Sequence, residues 1–225
     1  MADRPVRGLQ TPAGGYRRPV TDTLVDGLVD SLVTLPGVPV RLYIADDVYT
    51  LWSRTPDALP FWAFAWPGGL ALARYLADRP ATVRGRRVLD VASGSGLVAI
   101  AAATSGAAHV TANDTDPRAV AAVRRNAAAN AVAVRAVGGD LLAGDGGDAE
   151  VVLAGDVFYD RTLAARIGPF LSRAAARGAL VLVGDPGRAY LPRTGLTALA
   201  RYGVDVPAAV EDAAVKRATV FRVEP

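Results

Sequence analysis

The sequence predicts an α/β domain built on a doubly wound, mostly parallel sheet. Short apolar segments alternate with helical segments from about residue 87 to residue 184, which is the rhythm of β–α–β units. Apolar strands in this arrangement are typical of a sheet that helices cover on both faces. Apolar residues make up 51% of the 225-residue chain, which is enough for one such core, and no apolar run is long enough to span a membrane.

An extension precedes this alternation. Residues 21–33 are predicted to form a helix, because apolar pairs recur at helical spacing after Thr21 or Asp22, either of which can serve as the N-cap. Residues 38–44 alternate between apolar and polar positions as a strand does. Residues 46–60 are typical of a loop.

The first large helix is predicted to begin near Trp66 and to end at about Asp78, because Pro67 is tolerated in a first helical turn. Asp116 and Asp160 are start signals for two later helices. In the alternating region, strands are predicted at residues 87–92, 108–113, 132–137, 150–155 and 179–184, and helices at residues 97–104, 117–129 and 161–177.

The last part of the chain breaks the alternation. Residues 202–206 and 218–223 are predicted to pair as an antiparallel hairpin at the sheet edge, which brings the sheet to seven strands. We expect residues 1–20 to be a flexible tail. The predicted single domain covers residues 21–225, with residues 21–80 as the N-terminal extension and first helix and residues 81–225 as the Rossmann-like core.

Charge and residue usage exclude several classes of function. The formal net charge is only +3, and basic and acidic residues are interspersed, so neither a nucleic-acid nor a membrane partner is expected. The absence of cysteine excludes disulfides and thiolate metal sites, and a single histidine, His109, argues against other metal centres and catalytic triads. The N-terminus lacks the apolar segment of a signal peptide, and we expect a cytoplasmic protein.

The segment RRVLDVASGSGL at residues 86–97 predicts a cofactor pocket. Asp90 ends an apolar strand, and Gly94 and Gly96 allow a ligand to approach the backbone at the start of the next helix, whose N–H groups point toward it. The spacing fits the dinucleotide fingerprint, with Asp114 at a suitable distance to bind a ribose. An NAD-dependent oxidoreductase is therefore one alternative.

Asp90 favours a different cofactor, S-adenosylmethionine. A pyrophosphate gains nothing from a carboxylate beside the turn, whereas the ammonium of S-adenosylmethionine can be held near Asp90, directly or through water. The carboxylate of the same ligand can bind backbone N–H groups. In addition, too few residues follow the fifth strand for a separate substrate domain.

Several segments together resemble the seven-β-strand methyltransferases. DVASGSG at residues 90–96 is similar to their motif I, although Ala92 stands where many members have glycine. Five further segments resemble one branch, the electron-transfer-flavoprotein β-subunit lysine methyltransferases and their bacterial relatives. These are ADDVYTLW (45–52), PFWAFAWPGGLALAR (60–74), ANDTDP (112–117), DVFY (156–159) and GDPGR (184–188).

The resemblance implies a set of cofactor contacts. Asp114 is expected to bind the ribose hydroxyls, and Asp140 and Leu141 to contact the adenine edge, although Asp140 also fits an ordinary loop aspartate. Trp66 is expected to lie against the cofactor, with a core aromatic as the alternative. The full set of predicted cofactor contacts is Trp66, Gly68, Asp90, Ala92, Ser93, Gly94, Gly96, Asp114, Asp140 and Leu141.

Asp156 and Tyr159 are the predicted catalytic residues. They follow the fourth strand, where open α/β sheets place substrate chemistry, and the resemblance associates this acidic–x–x–aromatic motif with the target amine. A carboxylate can hold an ammonium, and an aromatic face adds a cation–π attraction of roughly 0.5–2 kcal/mol. Capping of the next helix is the alternative role for Asp156. Phe158 and Asp185 are predicted to contact the substrate, although Asp185 also fits a simple turn.

We therefore expect an S-adenosylmethionine-dependent N-methyltransferase. By resemblance, the acceptor is a lysine of a protein, with the electron-transfer flavoprotein β subunit as the candidate partner and a small-molecule amine as the alternative. Methyl transfer requires no metal and no triad, since the sulfonium is already activated and the protein mainly aligns the reacting atoms. A cofactor-binding module without catalysis is the alternative from another class.

Overall fold

A computed structural model describes residues 24–29, 31–45, 48–54, 60–205 and 214–225. The tail expected at residues 1–20 lies outside these ranges, and the predicted domain division stays a prediction. The strands are β1 (Ser31–Thr34), β2 (Arg41–Ile44), β3 (Arg87–Val91), β4 (His109–Asp114), β5 (Arg135–Gly138), β6 (Val151–Gly155), β7 (Leu180–Asp185), β8 (Leu196–Asp205) and β9 (Val215–Val223). The α-helices are α1 (Val48–Arg54), α2 (Pro67–Asp78), α3 (Leu97–Thr104), α4 (Pro117–Ala129) and α5 (Arg161–Ala176).

The central sheet has seven strands in the order β5-β4-β3-β6-β7-β9-β8. The first five are parallel, whereas β9 runs antiparallel to both β7 and β8. The predicted α/β Rossmann-like fold with a C-terminal hairpin is therefore confirmed. Both hairpin strands are longer than predicted, and the last strand lies inside the sheet next to β7, while β8 forms the edge.

Helices cover both faces of the sheet, as the apolar strands predicted. Successive residues of β6 alternate between two cores: Val151 and Leu153 pack with α2 and α3, whereas Val152 and Ala154 pack with α5. This double covering leaves the carboxyl ends of the parallel strands as the open edge where loops meet. No described helix combines the length and the apolar character needed to cross a membrane.

The helix predicted at residues 21–33 is wrong in its described part. Residues 24–28 form a turn, and Ser31–Thr34 is strand β1, paired antiparallel with β2 in a separate two-stranded sheet. The pairing explains the difference, because the turn between the strands brings Thr34 opposite Arg41 and satisfies the backbone of residues 31–34 outside a helix. The predicted N-cap candidates Thr21 and Asp22 lie outside the described residues.

The loop predicted at residues 46–60 is also wrong in part. Helix α1 occupies Val48–Arg54, and its buried Leu51 packs in a small core with Trp62 and with alanines of α4. Tertiary packing thus stabilises a helix that is too short to form alone. The first large helix, α2, begins at Pro67 with Trp66 as its N-cap residue and ends at Asp78, as predicted.

Candidate active site

A cavity of about 470 Å³ opens at the carboxyl ends of β3, β4 and β6, within the range of small-molecule sites. It is lined by eight of the residues predicted for the site, namely Trp66, Ala92, Gly94, Asp114, Asp140, Leu141, Asp156 and Tyr159. A wider cavity of about 1330 Å³ lies along the amino ends of the strands, and His109 lines it. Of the predicted site residues, only Leu141 lines this wider cavity. The chemistry-bearing side chains therefore converge on the smaller cavity.

The glycine turn after β3 has the backbone of a ligand cradle. Ala92, Gly94 and Gly96 have φ angles of 53°, 51° and 80°, in the left-handed region that glycine adopts freely. Gly96 is the N-cap residue of α3, and a Cβ atom there would lie 3.1 Å from Cγ2 of Val123 on α4. The turn thus needs a small residue at this position for packing as well as for conformation.

Asp90 lies beneath this turn instead of lining the cavity. Its side chain is buried, and its Oδ2 accepts a hydrogen bond of 3.0 Å from the Ala99 N–H in the first turn of α3. Burial raises the pKa of Asp90 to about 8, with the Ala99 N–H opposing the shift. The structure therefore gives Asp90 a helix-anchoring contact, and its predicted contact with a cofactor ammonium stays a prediction.

Asp114 joins two loops at the cavity wall. Its Oδ2 accepts from the Gly94 N–H at 2.9 Å, and its Oδ1 accepts from the Asp116 N–H at 3.0 Å. Burial is the largest cause that raises its pKa. Asp116 caps α4 by accepting from the Arg118 N–H at 2.7 Å, as predicted. Asp114 is therefore not the cap, and its carboxylate lines the cavity where a ribose was predicted.

Asp140 and Leu141 form another part of the cavity wall. Asp140 pairs with Arg166 of α5 through Oδ2, and its Oδ1 accepts from the Leu142 N–H at 2.9 Å. The Arg166 guanidinium holds the pKa of Asp140 below its usual value. The pair ties the loop after β5 to α5, so this aspartate has a structural partner in addition to its place in the cavity.

Aromatic side chains surround the cavity mouth. The Trp66 Nε1–H donates to the Phe61 carbonyl oxygen at 2.8 Å, and the Phe61 ring lies 5.7 Å from the Trp66 ring and 4.9 Å from the Tyr159 ring. Partial burial raises the pKa of Tyr159 to about 12, so its hydroxyl keeps its proton at neutral pH although part of the ring is exposed. Trp66 thus lines the cavity, although it also packs against the small core around Trp62.

Asp156 is held in place by contacts from both of its carboxylate oxygens. Its Oδ1 accepts from Arg188 Nε at 2.6 Å, and its Oδ2 accepts from the Gly68 N–H at 2.8 Å. The residue has a φ angle of 61°, a conformation rare for an aspartate, and its side chain is buried. Asp160, not Asp156, caps α5 by accepting from the Leu163 N–H at 2.8 Å, as the sequence favoured.

Besides Asp90 and Gly96, four predicted site residues do not line the cavity, namely Gly68, Ser93, Phe158 and Asp185. Gly68 anchors Asp156, and a Cβ atom built on it would lie 2.2 Å from the Gly184 carbonyl oxygen. Ser93 Oγ is buried with no hydrogen-bond partner among the described residues, which leaves a hydroxyl available to a bound group. Phe158 is buried in the core that packs against α5. Asp185 accepts from the Gly187 and Arg188 N–H groups at 2.6 and 2.7 Å, so it makes the turn considered as its alternative.

Arg188 and Phe61 line the cavity, although neither was among the predicted site residues and Phe61 was expected only as core or interface material. Both lie in segments that carried the family resemblance, GDPGR and PFWAFAWPGG, and that membership was the available signal. The Arg188 guanidinium also lies over the Trp66 ring, 5.9 Å from its centre. A cation, a buried carboxylate and an indole therefore meet at one point.

The family profile and the two relatives described next are all methyltransferases by name. A family profile described as "Ribosomal protein L11 methyltransferase (PrmA)" matches residues 75–156. The chain is 40% identical over 168 residues to the electron transfer flavoprotein beta subunit lysine methyltransferase of Danio rerio, covering 72% of this chain and 64% of that protein. It is 37% identical over 196 residues to the protein of the same name from Xenopus laevis, covering 83% and 80%. The chain thus spans slightly less than two thirds of the first relative.

Solved structures share the fold at low sequence identity. The putative RNA methyltransferase PH1948 from Pyrococcus horikoshii superposes with a TM-score of 0.56 at 16% identity, covering 75% of this chain and 90% of that chain. SMU.776, a putative methyltransferase complexed with SAH, gives a TM-score of 0.54 at 13% identity, covering 86% and 56%. At these identities the likeness concerns the fold alone.

Proposed function

The chain belongs to the family of the electron transfer flavoprotein beta subunit lysine methyltransferases, and on that premise we propose that it transfers a methyl group from S-adenosylmethionine to a lysine side chain of a protein. Membership confirms the resemblance predicted from the sequence. The observation that carries the proposal is the cavity at the strand ends, where the glycine turn, Asp114, Asp156 and the aromatic mouth face one space.

The residues present fit S-adenosylmethionine. The left-handed turn at Ala92, Gly94 and Gly96 lets a ligand approach the backbone at the start of α3, and the buried Ser93 Oγ, which has no hydrogen-bond partner among the described residues, can donate to a bound ligand. Asp114 presents a carboxylate at the end of β4, suited to a ribose diol. The cavity volume of about 470 Å³ lies within the range typical of cofactor sites.

When bound, S-adenosylmethionine supplies an electrophilic methyl carbon, whose bond to sulfur breaks with its electron pair remaining on sulfur while the acceptor nitrogen forms the new N–C bond. The protein's part is alignment and exclusion of water. Phe61, Trp66 and Tyr159 form an apolar mouth around the acceptor approach. The Tyr159 hydroxyl stays protonated and can direct the nitrogen as a hydrogen-bond donor or acceptor. The methylated nitrogen then loses its proton to water.

The acceptor is proposed from the name of the relatives, the beta subunit of electron transfer flavoprotein. A small-molecule amine is the second candidate, because the open cavity mouth would admit any molecule that presents an amine. The exposed rings of Phe61 and Tyr159 support a protein acceptor, since exposed aromatic side chains at a cavity mouth are typical of contact surfaces. The cytoplasmic location and the absence of nucleic-acid and membrane partners stay predictions.

The test is transfer of a labelled methyl group in vitro. The full-length protein is incubated with labelled S-adenosylmethionine and purified electron transfer flavoprotein from the same host, and peptides are mapped by mass spectrometry. We expect label on lysine side chains of the beta subunit, and labelling at least about 100-fold slower with the Asp156→Asn variant. Label found only in small molecules of a host lysate would favour the second acceptor. Binding of NADH without binding of S-adenosylhomocysteine would contradict the methyltransferase function itself.

A further inference from the structure

The Asp156–Arg188 ion pair neutralises one of the carboxylates that line the cavity. The cavity is lined by four carboxylates, those of Asp114, Asp116, Asp140 and Asp156. Among the described residues that line it, Arg188 alone has a cationic side chain. Its Nε contacts Asp156 Oδ1 at 2.6 Å, and its side chain keeps 22% of its exposed surface whereas that of Asp156 keeps 3%. The cation therefore covers a buried anion from the cavity side.

The fold holds this arginine in place from two directions. Asp185 Oδ1 accepts from the Arg188 N–H at 2.7 Å and from the Gly187 N–H at 2.6 Å, which fixes the turn after β7. At its other end, the guanidinium lies 5.9 Å from the centre of the Trp66 ring. Since β6 and β7 are adjacent parallel strands, the turn after β7 delivers Arg188 to the loop after β6.

Lysine methylation requires an uncharged amine, because the ammonium form has no lone pair for attack. With an ordinary pKa near 10.4, only about one lysine side chain in a thousand is uncharged at pH 7.4. A carboxylate that lacks a counter-charge would bind the ammonium form and stabilise it further. The charge state of Asp156 toward the cavity therefore affects how much reactive amine the site can hold.

We propose that Arg188 is a positioning residue that selects the uncharged form of the acceptor amine, because its pairing with Asp156 denies the ammonium form a carboxylate partner. This inference rests on the proposed function. The bulky guanidinium also occupies the space beside Trp66 that an ammonium would otherwise take. Other charged or titratable groups around the pair are Asp185 at the end of β7, Asp114 at the end of β4, and Tyr159 and Asp160 before α5.

The first test does not depend on methyl transfer. Tetramethylammonium, a permanent cation, is titrated by calorimetry into protein saturated with S-adenosylhomocysteine. We expect Arg188→Gln to bind it at least about tenfold more tightly than wild type, since the freed carboxylate and the Trp66 and Tyr159 rings form a cation site. The double variant Arg188→Gln with Asp156→Asn should return to the wild-type affinity. Arg188→Lys, which keeps the charge, should also resemble wild type.

Matched controls separate this role from a structural one. Arg193→Gln removes an exposed arginine of the same segment and should leave cation affinity and activity unchanged. Binding of S-adenosylhomocysteine and the melting temperature report whether each variant is folded, and Arg188→Met replaces Arg188→Gln should the latter unfold. Two results would overturn the proposal. One is equal tetramethylammonium affinity in wild type and Arg188→Gln, and the other is a double variant that still binds the cation more tightly than wild type.

The second test is the pH profile of kcat on the protein acceptor. We expect Arg188→Gln to lose about tenfold at pH 7.5 and to recover at higher pH, with the midpoint shifted up by about one pH unit. A loss equal at every pH would mean a structural role and would overturn the proposal. Should wild type methylate no protein lysine, the proposed function fails, while the tetramethylammonium titration still decides whether Arg188 screens Asp156.

Discussion

Gly68 and Gly184 pack against each other across the start of α2 and the end of β7, with backbones too close to admit a side chain. A Cβ atom built on Gly68 would lie 2.2 Å from the Gly184 carbonyl oxygen, and one built on Gly184 would lie 2.1 Å from the Gly68 carbonyl oxygen. This approach brings the Gly68 N–H within 2.8 Å of Asp156 Oδ2. The position of the site carboxylate therefore depends on a packing contact behind the cavity.

Gly68→Ala is expected to destabilise the protein by about 3 kcal/mol or more, because the added methyl group meets backbone atoms that cannot rotate away. Gly69→Ala is the matched control. Its Cβ atom would meet side-chain atoms at 3.7 and 3.8 Å, which is ordinary contact. Urea denaturation of both variants measures the difference, and equal stability of the two would contradict the packing argument.

Local signals allowed much of the fold to be predicted from sequence. Asp116 and Asp160 were placed correctly at helix starts, because a cap depends on the residue and the N–H groups just after it. Residues 31–33 were assigned to a helix because their apolar spacing fits one, whereas their conformation is decided by pairing with residues 42–44. A strand partner is information that helical periodicity does not contain.

The candidate site also has a part that local sequence signals predict and a part that depends on the whole fold. The positions of the glycine turn and Asp114 were predictable because both stand at strand ends, and Ala92, Gly94 and Asp114 line the cavity. The Asp156–Arg188 pair joins residues 32 positions apart and exists because β6 and β7 are neighbours in the sheet. Strand order is a property of the whole fold, so a contact of this kind was not predictable from either segment alone.

Asp114→Ala is expected to weaken binding of S-adenosylhomocysteine by about 10–100-fold. The change removes the predicted ribose ligand and the two hydrogen bonds that Asp114 accepts from the Gly94 and Asp116 N–H groups, each charge-assisted bond being worth about 1.5–3 kcal/mol. Calorimetry measures the affinity. Asp116→Asn is the control, since asparagine also caps a helix and should keep the affinity within about threefold. Similar losses in both variants would argue against a ribose contact at Asp114.

Because of Asp185, the free energy of unfolding should fall as the pH rises from about 4 to about 6. Burial raises its pKa to about 6, above the value near 3.9 of an unfolded chain, so folding favours the protonated form. The stabilisation is complete below pH 4, is lost as pH rises through 6, and then stays constant. The expected change is roughly 3 kcal/mol. Asp185→Asn should flatten this part of the urea-denaturation profile, whereas the exposed control Asp205→Asn should not.

Cofactor binding should release a proton from Asp90 at pH 7. Burial raises the pKa of this group to about 8, so about nine in ten molecules carry the proton before binding. An ammonium held near Asp90, as predicted, would stabilise the carboxylate and expel that proton. Calorimetry with S-adenosylhomocysteine in two buffers of different ionisation enthalpy measures the release, which should vanish in Asp90→Asn and at pH 9. No release at pH 7 would contradict an ammonium contact.

Asp156→Asn is expected to keep cofactor affinity within about threefold and to lower kcat at least about 100-fold. Asparagine tolerates the left-handed backbone at this position and keeps one oxygen to accept from Gly68 N–H or Arg188 Nε, so the fold should survive. The loss in kcat is expected because asparagine has no negative charge to hold the Arg188 guanidinium in place beside Trp66. Calorimetry and methyl-transfer rates measure the two effects.

The matched control for that variant is Asp160→Asn, four residues along the same loop, because asparagine also caps α5 and the residue lies outside the cavity lining. It should keep both cofactor affinity and kcat. Parallel loss of affinity and kcat in Asp156→Asn would move Asp156 to the cofactor side. A normal kcat in Asp156→Asn would remove it from catalysis, since neither the charge of the carboxylate nor its pairing with Arg188 would then affect the transfer step.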